Sequence, residues 1–120
     1  MTGDFKPRAT MKPAHEAIIV FTTLPDREQA ITLAEALVRQ KLAACVNIGA
    51  PSTSVYRWRE NIEHGSEVLL QAKTRRDRYA ALQSAIVELH PYELPEVIAV
   101  PVTDGLPEYL AWIDQCTDDS

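Results

Sequence analysis

The chain has 120 residues, 46% hydrophobic and 24% charged, with 12 basic and 17 acidic side chains and a net charge of -5. At 13.4 kDa this is the composition of one ordinary soluble domain, too short for two cores and long enough to hold one without a disulfide or metal staple. The acidic balance argues against sequence-independent nucleic-acid binding, which rests on phosphate neutralisation by Lys and Arg.

Met1 to Pro13 mixes Gly, Thr, Pro and alternating charges and reads as a disordered tail, leaving 14–120 as a single domain. Ala17 to Thr23 is β-branched and nearly all apolar, as in a strand at the centre of a sheet, and Leu24-Pro25 ends it. Asp26 with Gln29 resembles a capping box, and Ala30, Leu33, Ala34, Leu37 and Val38 form the stripe of an amphipathic helix running to about Lys41. Ala43 to Gly49 reads as a second strand, bent or bulged at Gly49-Ala50-Pro51 and continued by the alternation of Thr53 to Arg59. A turn is expected at Glu60-Asn61, with Asn61 supplying the positive φ. His64 falls in the connection, and Glu67 to Lys73 is the return strand of a long hairpin arm. Tyr79, Leu82, Ile86 and Leu89 give the clearest helical period, in a helix from about Arg76 that His90-Pro91 stops. Val97 to Val102 is a last strand marked by Pro101, and Pro107 to about Gln115 a short terminal helix. The order β-α-β-β-α-β plus a helix is that of an α+β, ferredoxin-like sandwich with helices on one face of an antiparallel sheet. Its other face, carrying Val55 or Tyr56 and Trp58, then needs a partner subunit.

Phosphate-loop, dinucleotide, zinc-protease, esterase-elbow and EF-hand patterns are all missing from the sequence, which removes most familiar enzyme classes. Cys45 and Cys116 lack C-x-x-C spacing and read as free thiols in a reducing, cytoplasmic compartment. Cys45, in an apolar strand, is a small core or interface residue, while His15 and His64 are expected in solvent. Apolar runs are too short to span a bilayer, so no membrane partner is expected. His90 differs. It ends a helix, where the dipole favours its protonated form, and it opens His90-Pro91-Tyr92-Glu93-Leu94-Pro95-Glu96, a proline-fixed loop with one imidazole, one phenol and two carboxylates. Imidazole with carboxylate suits Cu²⁺ or another borderline divalent cation, with His90 and Glu93 as candidate ligands; the alternative is a rigid connector with a helix-capping His.

Leu42-Ala43-Ala44-Cys45-Val46-Asn47-Ile48, Ser54 to Trp58, Ser66 to Leu70, Lys73-Thr74, Leu89 to Glu96, Asp104-Gly105 and Tyr109 to Ile113 occur in that order, and together they resemble the CutA family of divalent cation tolerance proteins. The resemblance implies a ferredoxin-like protomer in a tight homotrimer whose arms extend neighbouring sheets. It also implies cytoplasmic residence and a non-enzymatic role in tolerance of copper and other divalent metals. Some bacterial members carry a Cys on the first strand and a His-His pair before Pro-Tyr as proposed copper ligands; here those positions are Thr22 and Leu89, and only His90 carries over. Weak Cu²⁺ binding is therefore expected. A second reading is a small-molecule signalling module with effector clefts between subunits, lined by Cys45, Trp58, Glu67, Lys73, Arg75, His90 and Tyr92. A third, acylphosphatase-like hydrolysis, needs an anion-binding loop after the first strand that Thr22 to Asp26 does not offer.

Overall fold

The computed structural model describes residues 15–119; the expected tail, Met1 to Pro13, lies outside them. In chain order the elements are β1 (Ala17–Leu24), α1 (Arg27–Arg39), β2 (Cys45–Trp58), β3 (Asn61–Arg75), a 3-10 turn (Arg76–Arg78), α2 (Tyr79–Leu89), β4 (Ile98–Pro101) and α3 (Pro107–Cys116). The strands form one antiparallel sheet in the order β2-β3-β1-β4.

α1 begins where Asp26, in extended backbone, accepts the Gln29 N–H at 2.8 Å and the Gln29 side-chain amide at 2.9 Å. One carboxylate thus satisfies a first-turn donor and holds the residue that carries it. The helix ends at Arg39, two residues before the periodicity suggests, because Lys41 turns left-handed at φ 59. The Lys41 N–H donates to the Val38 carbonyl at 3.0 Å and the Leu42 N–H to the Leu37 carbonyl at 2.9 Å, the paired closing bonds of a Schellman ending.

Strand alternation sorts the sheet into two faces. Ile18, Val20 and Leu24 of β1 and Val68, Leu70 and Ala72 of β3 form the core with Ala30, Leu33, Ala34 and Leu37 of α1 and Leu82 and Ile86 of α2. The other face carries Ile19, Phe21, Leu69, Ile98 and Val100, since Ile98 pairs with Phe21 and Val100 with Ile19. α3 covers this second face only at one end, where Ile113 packs with Ala17 and Ala44. Away from α3 the face stays open, with Ile98 55% and Val100 42% exposed.

The expected break in β2 is a bulge. Ile48 pairs with Leu70 but Pro51 with Val68, so one extra residue enters β2 at Gly49-Ala50. β1 ends opposite Val68, and from there β2 and β3 continue as a two-stranded arm to the Trp58–Asn61 pair. The arm makes the molecule 53 × 26 × 25 Å, with a radius of gyration of 15.5 Å against about 13 Å for a globule of this length.

The turn is Arg59-Glu60, and the positive φ falls on Arg59 (φ 55) rather than Asn61, which already belongs to β3. Arg59 lies 5.4 Å over the Trp58 ring and pairs with Glu93, contacts that offset the strain of a left-handed non-glycine residue. β3 has 15 residues, and His64 is a strand residue opposite Val55, not part of a turn. α2 starts at Tyr79, after a separate 3-10 turn, and its period overshoots: Leu82 and Ile86 are buried but Leu89 is 51% exposed. Val38 of the α1 stripe is likewise exposed. β4 holds four residues rather than six; Pro101, which lacks an N–H, closes it on the sheet edge.

Candidate functional site around Glu67 and His90

The open sheet face carries a polar cluster at the base of the arm. Glu67 of β3 accepts the Thr23 hydroxyl of β1 at 3.0 Å, and the hydroxyls of Ser54, on β2, and Tyr92, in the loop after α2, also favour its charged form. Burial works to raise the carboxyl pKa, but these three donors and His90 outweigh it and hold it below the usual carboxylate range. The Tyr92 phenol is pushed up to about 12, by burial first and then by donation to the Glu67 carboxylate.

His90 is buried at the end of α2, in the extended conformation that a residue before proline adopts. Its Nε2 lies 2.7 Å from the Thr23 carbonyl oxygen, and the Tyr92 backbone N–H donates to its Nδ1 at 3.1 Å. Because Nδ1 accepts, Nε2 carries the hydrogen and donates to Thr23, which assigns the neutral ring to one tautomer. The Tyr92 ring stacks on it at 4.8 Å and 53°. The helix dipole was expected to favour the protonated ring; burial dominates instead and lowers the pKa, against the opposing Thr23 carbonyl and Glu67 charge.

These bonds bear on the expected metal ligands. With one ring nitrogen donating and the other accepting, His90 has no lone pair free for a cation. The Glu93 side chain is 74% exposed and lies 3.6 Å from Arg59. Thr22 faces the helix-side core, where its hydroxyl has no hydrogen-bond partner, and Leu89 faces outward. Among the described residues no three His, Cys, Asp or Glu side chains are grouped to hold a metal ion. The residues present do not fit a tight copper centre.

The expected cleft set is brought together only in part. Glu67, His90 and Tyr92 meet. Cys45 and Lys73, paired across β2 and β3, lie six positions along the strand in one direction, and Trp58, paired with Asn61, lies six positions in the other. At about 3.3 Å per residue each is roughly 20 Å from Glu67. Lys73 is engaged by Tyr109, its Nζ 3.5 Å from the phenol oxygen, and Arg75 is buried with its Nε 2.9 Å from Asp77. Within one chain these residues are separate places on a long ladder. Sequence reasoning missed Thr23 and Ser54, which read only as strand formers; parity finds Thr23, since odd positions of β1 and β3 share the open face, and the bulge in β2 puts Ser54 there opposite Gly65.

A model of the family described as CutA1 divalent ion tolerance protein matches residues 18–116. The divalent-cation tolerance protein CutA of Thermus thermophilus is 42% identical over 99 residues, 82% of this chain and 96% of that one. Protein CutA of Mus musculus is 45% identical over 98 residues, covering 82% of this chain but 55% of its own, so the chain spans about half the length of that relative. The crystal structure of CutA1 from Oryza sativa superposes with a TM-score of 0.85 at 39% identity, over 88% of this chain and 97% of that one.

Proposed function

The chain belongs to the CutA1 divalent ion tolerance protein family, and from this premise we propose that it serves divalent-cation tolerance as a non-enzymatic homotrimer of ferredoxin-like protomers. The observation that carries the assembly is the arm with the open face at its base. A two-stranded ribbon is marginal by itself in water, and here it has Val55 62% and Ile62 60% exposed. Between Asn61 and Glu67 the arm edge of β3 away from β2 continues past the end of β1, so it offers a ladder to an incoming strand. A head-to-tail contact in which each arm lies on the next copy's sheet closes into a ring. Three copies is the number the family resemblance implies. Free thiols at Cys45 and Cys116 support a reducing, cytoplasmic setting.

The tolerance role does not run through a tight copper site at His90. Cu²⁺ or another divalent cation binds weakly, at about micromolar affinity or weaker, through exposed donors of an acidic chain. Growth under graded Cu²⁺ and Zn²⁺ of cells lacking this gene tests the role. Tolerance restored both by the chain and by His90→Ala supports the proposal, and tolerance unaffected by either contradicts it. A second reading, effector binding in clefts of the assembly, is favoured by the Glu67, Tyr92 and His90 cluster on a face the assembly would border.

A further inference from the structure

Glu67 stands out among the acidic residues because it is half-buried on the sheet face and has no ion-pair partner among the described residues. Its neighbours are hydroxyls. Thr23 donates at 3.0 Å, the Ser54 and Tyr92 hydroxyls also favour its charged form, and these neutral groups stabilise a negative charge without cancelling it. His90, the nearest basic side chain in the cluster, spends both nitrogens on backbone partners. Two aromatic rings flank the place. Tyr92 reaches the carboxylate from one side. Tyr56 lies over Gly65, where an added Cβ would stand 3.7 Å from its Cε1 and Oη. Gly65 is two positions from Glu67 on the same face, so the Tyr56 ring packs over bare backbone next to the carboxylate's strand position.

A carboxylate with lone pairs left, beside aromatic rings, matches a cation that carries its own N–H donors. A divalent metal ion is a poorer match, because it needs several oxygen or nitrogen ligands and among the described residues no three His, Cys, Asp or Glu side chains are grouped to hold one. We propose that Glu67, between Tyr92 and Tyr56 on the open sheet face, is a binding site for the primary ammonium group of a small organic amine. The proposal deepens the effector reading and rests on it.

Saturation-transfer and ¹H–¹⁵N NMR on the full chain at neutral pH test it, with butylammonium, butanol and butyrate as probes of one shape and three charges, and Mg²⁺ and Zn²⁺ in parallel. Butylammonium alone is expected to saturate and to shift the Gly65 and Glu67 amides. Glu67→Gln, which keeps the shape and an acceptor for the hydroxyls, should weaken it about tenfold or more. Tyr56→Leu, on the exposed arm, should weaken it about two- to fivefold. Equal binding of butanol or butyrate at the same amides overturns the ammonium assignment and leaves the effector reading standing. Metal shifting those amides and displacing the amine overturns it in favour of a metal site. An affinity unchanged by Glu67→Gln places the amine elsewhere and overturns it, and silence from all three organic probes removes both readings.

Discussion

At the scale of single residues, His90 and Thr22 carry the sharpest consequences, and both depend on partners far away in sequence. Burial holds the folded-state pKa of His90 below its ordinary 6.5, so below that pH the unfolded chain binds more protons than the folded one. Its contribution is therefore fully present above about pH 6.5 and is lost as pH falls toward the folded value. Urea unfolding should show lower stability at pH 5.5 than at pH 8, with the difference reduced in His90→Gln, which can donate and accept but does not titrate in this range. Glu67 acts in a separate window, because its lowered pKa costs stability only below its ordinary 4.5. Thr22 is fully buried with an unpartnered hydroxyl, so Thr22→Val should raise stability by about 1 kcal/mol. A loss of that size would mean the hydroxyl has a partner. The motif from His90 to Glu96 singles out in the sequence the imidazole that is buried in the structure. What its nitrogens do was not legible, because the Thr23 carbonyl lies 67 positions away and backbone acceptors leave no trace in residue type.

At the scale of elements, the helical period of α2 was read correctly in its middle and wrongly at its end. Leu82 is fully buried, whereas Leu89 follows the same spacing but is the last residue of α2, just before the His90-Pro91 break, and is half-exposed. Leu82→Ala should cost about 2 to 5 kcal/mol and Leu89→Ala less than about 0.5 kcal/mol in chemical denaturation; equal costs would show that the stripe continues into the core. α1 was legible in detail because its signals are local: Asp26 caps it and Gln29 holds the cap. The arm turn was not. Asn61 has the better left-handed propensity, but the ladder register set by the bulge at Gly49-Ala50 puts Arg59 at the bend. A long-range pairing overrode a local preference.

For the whole molecule, the order of elements followed from alternating periods, and the open second face followed from that order, because two helices cover only one side of four strands. The bulge was legible at Gly49-Pro51, and the length of the arm was not, since Asn61 to Ser66 is too polar to read as strand without the partner that pairs it. The expected cleft shows the same limit at larger scale: Cys45, Trp58 and Lys73 are strung along one ladder with Glu67, and only contacts between copies can bring such positions together. Arm, unpaired edge and exposed Ile98, Val100, Val55 and Ile62 all point to assembly. The most direct test is the mass in solution by light scattering after size exclusion, at micromolar protein. A trimer gives a single species close to three times the 13.4 kDa of one chain, persisting on dilution; a folded species at the mass of one chain would contradict the assembly.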